Sequence, residues 1–133
     1  MRALAVLALS AAALVACTSS SAADASTSLR VTFWEDGEGA PDRVWTLRCN
    51  PARGTLPRPA RACARLAAGG VALFAPTPKN VACTEIYGGP QRARVVGTVR
   101  GKQVWAGVTR TNGCEIERWQ RLSPWLLPPG GAT

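Results

Sequence analysis

Residues 46–70 read Thr46-Leu47-Arg48-Cys49-Asn50-Pro51-Ala52-Arg53-Gly54-Thr55-Leu56-Pro57-Arg58-Pro59-Ala60-Arg61-Ala62-Cys63-Ala64-Arg65-Leu66-Ala67-Ala68-Gly69-Gly70, and three local regimes follow one another within them. The first closes a run from Arg43 in which Trp45, Leu47 and Cys49 alternate with polar neighbours, the period of a half-buried strand. Asn50 to Pro59 is punctuated by proline and glycine and reads as a loop. Ala60 to Ala68 has high helix propensity, with Pro59 suited to the first helical position and Gly69-Gly70 to the stop. Ala62, Cys63 and Leu66 share one face of that helix, so it should lie on a sheet with its cysteine turned inward. A strand, a loop and a helix, with a cysteine on each regular element, fit a loop-rich α+β or mostly β domain.

Working outward, Leu29 to Trp34 is strand-like and meets the turn-forming run Glu35 to Asp42, so it forms a hairpin with Arg43–Cys49. Val71 to Asn80 has two prolines and no period, which fits a loop. In Val81-Ala82-Cys83-Thr84-Glu85-Ile86-Tyr87-Gly88-Gly89-Pro90, polar Thr84 and Glu85 stand between a cysteine and an apolar pair. Gln91–Arg100 and Lys102–Arg110 are strand-like runs joined around Gly101, a second hairpin. Asn112 is placed to cap a brief helix through Trp119, with Glu115 three residues on as in a capping box. Residues 123–133, ending in Pro128-Pro129-Gly130-Gly131, are expected to form a disordered tail. Trp34, Trp45, Trp105, Trp119 and Trp125 are assigned to the core and the sheet faces, since no spacing for a cationic ligand is evident.

Inventory narrows function. The chain of 133 residues has no histidine, which removes Ser-His-Asp and Cys-His nucleophile pairs and His-containing zinc sites. Its 8 carboxylates include Glu35, Asp36 and Glu38 crowded into one turn, not a spaced acid/base pair on rigid elements. Catalysis is not expected, nor is any cofactor or metal. The net charge of +8 rests on 16 basic residues, nearly all arginine and scattered singly. It favours anionic partners such as membrane surfaces, wall polymers or acidic proteins, and it is equally what an Arg-rich, Ala-rich composition produces as a plain solvated surface.

Residues 1–16 have the form of an export signal: Arg2 gives a positive charge and Ala3 to Val15 is nearly all apolar, yet too short to span a bilayer. The segment ends in Leu14-Val15-Ala16-Cys17, which resembles the bacterial lipoprotein motif in which the cysteine is acylated and becomes the new N-terminus. An ordinary signal peptide with a cysteine near its cleavage site is the alternative. Parity favours the lipoprotein: five cysteines is odd for an exported chain, and lipid on Cys17 leaves four to pair. The Ser/Thr/Ala-rich residues 17–28 would be a flexible tether, with the folded domain at 29–122. Export separates the chain from nucleic acid, so no nucleic-acid partner is expected.

Taken in order, Thr46–Cys49, the Pro-rich loop, the helix Ala62–Gly70, Cys83-Thr84-Glu85-Ile86-Tyr87, Gly97–Lys102 and Asn112-Gly113-Cys114-Glu115 resemble the bacterial subtilisin-inhibitor-like family across roughly Leu29 to Trp119. The resemblance implies an antiparallel sheet of about five strands flanked by two short helices. It also implies two disulfides, Cys49–Cys63 and Cys83–Cys114. Four cysteines by themselves allow three pairings, and the strand-end and helix-start positions of Cys49 and Cys63 agree with the family's choice. Each closed loop would stabilise the domain by ~3 kcal/mol.

The same resemblance implies a serine protease inhibitor with a substrate-like reactive-site loop. Glu85 would be P1, the side chain offered to the specificity pocket, and Ile86 would be P1′ across the scissile bond. Ala82, Cys83, Thr84 and Tyr87 would be the flanking contacts at P4, P3, P2 and P2′. Implied partners are a secreted serine protease, the membrane through the N-terminal lipid, and a homodimer as in the family; the domain would be extracellular on the outer face of the cell envelope. Family members usually offer Met, Leu or Lys at P1, and their usual Tyr-Asp-Pro exit is here Tyr87-Gly88-Gly89-Pro90, a glycine pair expected to loosen the primed side. Two roles for Glu85 therefore stand side by side. It is either a specificity residue or a solvated carboxylate on a scaffold that binds anionic wall or membrane components instead of a protease.

Overall fold

The computed structural model describes residues 26–130. The export segment 1–16, Cys17, most of the tether and the last three residues lie outside them. In chain order the elements are β1 (Ser28–Trp34), β2 (Arg43–Arg48), α1 (Pro59–Gly69), a 3-10 turn (Gly70–Phe74), β3 (Arg92–Val99), β4 (Lys102–Thr109) and α2 (Gly113–Leu122). The strands form one antiparallel sheet in the order β2-β1-β3-β4.

Period-two patterning decides the faces. Leu29, Val31 and Phe33 of β1, Leu47 of β2, Ala93 and Val95 of β3 and Val104, Ala106 and Val108 of β4 are buried in one core. Ala62 and Leu66 of α1 and Trp119 and Leu122 of α2 join that core, so both helices cover the same face and leave the other open. Proline does start α1, and the Asn112 side chain accepts the Glu115 backbone N–H at 3.0 Å as an N-cap. The Glu115 carboxylate turns outward to Arg118 (2.8 Å) and to the Thr77 hydroxyl (3.1 Å), tying α2 to the preceding loop. In the β3–β4 hairpin, Arg100 and Gly101 both have positive φ, 51° and 79°, the two-residue turn that matches strand twist. That turn also holds the start of the domain, because Gly101 N donates to Ser26 O (2.9 Å) and Arg100 N to Thr27 Oγ1 (3.0 Å).

Both disulfides, Cys49–Cys63 and Cys83–Cys114, have the pairing implied by the resemblance. Four expectations are corrected. The sheet has four strands among the described residues, not about five: residues 81–89 make single backbone bonds, to Pro78, Arg110 and Gly113, and do not join the ladder. Part of residues 71–80 is not loop: the chain winds on as the 3-10 turn and buries Phe74. The expected tail is ordered up to residue 130: Leu126 N and Leu127 N donate to Leu122 O, and Trp125, Leu126 and Leu127 are buried in the core. Trp119 Nε1 donates to Pro128 O at 2.9 Å, so the burial of three apolar side chains outweighs the breaker residues around them. Finally, Trp105 is not packed; it stands 72% exposed on the open face of β4.

Candidate functional site

Opposite the start of β1, where β3 begins and β4 ends, residues 81–89 cross the surface without regular structure. Ala82, Thr84, Glu85, Ile86 and Tyr87 are all exposed, and Cys83 is half-buried through its bond to Cys114. Ile86 and Tyr87 are 62% and 60% exposed, which would waste apolar area unless a partner covers it.

The ends of this exposed run are fixed while its middle is free. On the N-terminal side the Cys83–Cys114 bond and the Gly113 N–H, donating to Thr84 O at 2.9 Å, hold the chain against the start of α2. On the C-terminal side the Gly88 N–H donates to Arg110 O at 2.7 Å, and Gly88 is buried. Only Glu85, Ile86 and Tyr87 lie between the two anchors. The Glu85 carboxylate has no hydrogen-bond or ion-pair partner among the described residues, so it is available to a partner molecule.

The residue after α2's cap explains the close approach. A Cβ on Gly113 would come 2.0 Å from Thr84 Oγ1, so a larger residue there would have to turn the Thr84 side chain or move the loop off the helix start. Arg110, buried at the end of β4, accepts the Gly88 bond with its carbonyl and donates from Nη1 to Gln91 Oε1 at 2.9 Å. The glycine pair does not loosen the exit as expected: Gly88 is the pinned residue. Sequence reasoning missed Arg110 and Gly113 as supports. Neither carries a local signal for this, because each bonds the loop through a backbone atom.

Among the described residues no group of three or more His, Cys, Asp or Glu side chains could hold a metal, and no helix is long and apolar enough to cross a membrane. What the geometry provides is an exposed tripeptide held at both ends on a disulfide-bonded scaffold, an arrangement that suits a binding module.

The family comparison agrees with that class. The family model described as subtilisin inhibitor-like matches residues 23–112, and the chain belongs to this family, whose members are extracellular protease inhibitors and not enzymes. A comparison with curated proteins gives no match. Among solved structures, sermetstatin from Streptomyces caespitosus, determined in complex with Bacillus licheniformis subtilisin, is similar at 25% identity over 77% of this chain and 96% of that one, with a TM-score of 0.48.

Proposed function

We propose that the protein inhibits an exported serine protease by offering Glu85-Ile86 as a substrate-like bond, with Glu85 at P1, Ile86 at P1′ and Ala82, Cys83, Thr84 and Tyr87 as the flanking contacts. The observation that carries this reading is the double anchoring of the exposed run, by Cys83–Cys114 and Gly113 N to Thr84 O on one side and by Gly88 N to Arg110 O on the other. A loop already pinned at both ends loses little conformational freedom on binding. If the protease serine attacks the Glu85 carbonyl, the leaving group is the Ile86 amine. Gly88 keeps that amine on the scaffold two residues away, so it stays in reach of the acyl carbon and re-forms the bond faster than water replaces it. The protein resides outside the cell, held to the envelope by lipid on Cys17.

The P1 carboxylate names the kind of target. Carrying an unpaired charge into an apolar pocket costs several kcal/mol, so Glu85 suits a pocket that supplies basic or hydrogen-bonding groups. An inhibition panel of glutamyl-specific, subtilisin-like and trypsin-like enzymes tests this. Wild type should inhibit the glutamyl-specific enzyme most tightly, and Glu85→Leu should shift preference toward subtilisin-like enzymes by at least tenfold, about 1.4 kcal/mol. If neither form inhibits any of them while both disulfides are intact, the inhibitor reading fails.

A further inference from the structure

Arg110 follows β4 and is only 8% exposed, so its side chain is held largely out of water. A buried cation is costly unless its N–H groups are bonded, and the groups that bond it are held in return. Its Nη1 donates to Gln91 Oε1 at 2.9 Å, while its carbonyl accepts the Gly88 N–H at 2.7 Å. One residue thus grips the exit of the exposed loop at two places, with its backbone at Gly88 and with the tip of its side chain at Gln91.

The chain between those two places is fitted to the grip. A Cβ on Gly89 would come 2.4 Å from Gln91 Oε1 and 3.0 Å from Arg110 Nη1, so the backbone at Gly89 lies against the side-chain bond. Pro90 O lies against Gly37 in the turn between β1 and β2, where a Cβ would be 2.4 Å from it. Gln91 Nε2 donates to Glu35 Oε1 of the same turn at 3.4 Å, which leaves the amide oxygen for the guanidinium. The guanidinium has a further cover: a Cβ on Gly130 would come 2.2 Å from Arg110 Cζ. The C-terminal segment, buried in the core through Trp125, Leu126 and Leu127, therefore seats the Arg110 side chain.

We propose that the Arg110 side chain, seated by the C-terminal segment at Gly130, is a positioning residue for the leaving-group half of the loop and acts through Gln91. The inference rests on the inhibitor reading and names what keeps the Ile86 amine in reach of the acyl carbon. Cys83–Cys114 and the Gly113 N–H hold the acyl half of the loop. Once the Glu85–Ile86 bond opens, the place of the amine depends on the Gly88 bond and on whatever stiffens it. A single backbone bond at Gly88 would let the exit pivot about it; the bond from Arg110 Nη1 to Gln91, three residues on, removes that pivot. A looser exit would give water time to take the acyl carbon before the amine returns. The C-terminal segment thereby contributes to inhibition through Arg110.

The test compares the full chain with Gln91→Leu, Arg110→Met, the double variant and Gly130→Val. Amide hydrogen exchange at Gly88, read by NMR with no protease present, should quicken at least tenfold in Gln91→Leu and in Arg110→Met while the Gly113 amide is unchanged. Gly130→Val should act in the same direction. The double variant should match the faster single one, since both remove the same bond. Arg110→Lys, which can still donate to Gln91, should restore most of the protection. With a protease that the wild type inhibits, the share of clipped chain after a fixed incubation should rise in the same order. Should Arg110→Met fail to fold, Gln91→Leu and Gly130→Val make the same measurements. Gly88 exchange that stays at the wild-type rate in these variants, or that rises only together with the Gly113 and strand amides, overturns the proposal. So does a double variant in which the two effects add. If the wild type inhibits no enzyme, the inhibitor reading fails, and Gly88 exchange alone still decides whether Arg110 and Gln91 hold the exit.

Discussion

At the scale of single residues, the supports of the exposed loop are backbone atoms, and the side chains that matter are those that must be absent. Gly113 is the sharpest case: its missing Cβ leaves room for Thr84 Oγ1, which would otherwise be 2.0 Å away. Gly113→Val should therefore push Thr84 off the start of α2 and release the bond to Thr84 O, while the sheet and both disulfides remain. Binding to the target protease should weaken at least tenfold, about 1.4 kcal/mol, with more of the inhibitor cleaved during incubation. Inhibition assays with mass detection of the clipped chain check this; unchanged affinity and an intact loop would show that Cys83–Cys114 and the Gly88–Arg110 bond hold the geometry without the bond to Thr84 O. Trp105 carries a different lesson. Its neighbours Val104 and Ala106 are buried, so strict alternation already places it on the opposite face.

At the scale of elements, local signals located the helices and the strands well and failed where the outcome depended on distant contacts. Pro59, Asn112 and the Gly69-Gly70 stop are chemical marks that act within a turn of where they stand, and the helices begin or end at them. The segment after α2 has no such mark. Pro124, Pro128 and Pro129 read locally as an unstructured end, whereas Trp125, Leu126 and Leu127 are ordered by a core made of residues from every strand. The loop's place beside α2 followed from the Cys83–Cys114 pairing that the family resemblance implies, but its second anchor, at Arg110 O, carried no signal, because a carbonyl is common to every residue. The C-terminal burial is directly testable. Trp125→Ala removes a side chain that is 4% exposed and a hydrogen bond to Arg121 O. It should cost about 3–5 kcal/mol of stability, read as a lower midpoint in denaturant with the disulfides kept oxidised. A cost near zero would mean that the segment from residue 123 adds nothing to the core.

At the scale of the whole molecule, the two ends of the sheet have different jobs. The chain enters at Ser26 and Thr27, which are bonded to the β3–β4 turn, and β1 then runs toward the end where the 81–89 loop is exposed. An attachment N-terminal to Ser26 and a protease seated on the loop are thus on opposite sides of the domain. Cys17 precedes Ser26 by nine residues, which when extended reach at most ~30 Å. Together with the length of β1, that leaves room for a protease to approach a loop held above a membrane. Cys17→Ser should remove the lipid and shift the protein from the detergent phase to the aqueous phase after export. Its inhibition of a soluble protease should stay unchanged, since among the described residues the loop is held by Pro78, Arg110, Gly113 and Cys114, all far along the chain from Cys17. Phase partitioning and an inhibition assay on the same preparations separate these effects. Equal partitioning of wild type and variant would rule out lipid on Cys17 as the anchor. A change in inhibition would show that residues before Ser26 reach the loop after all.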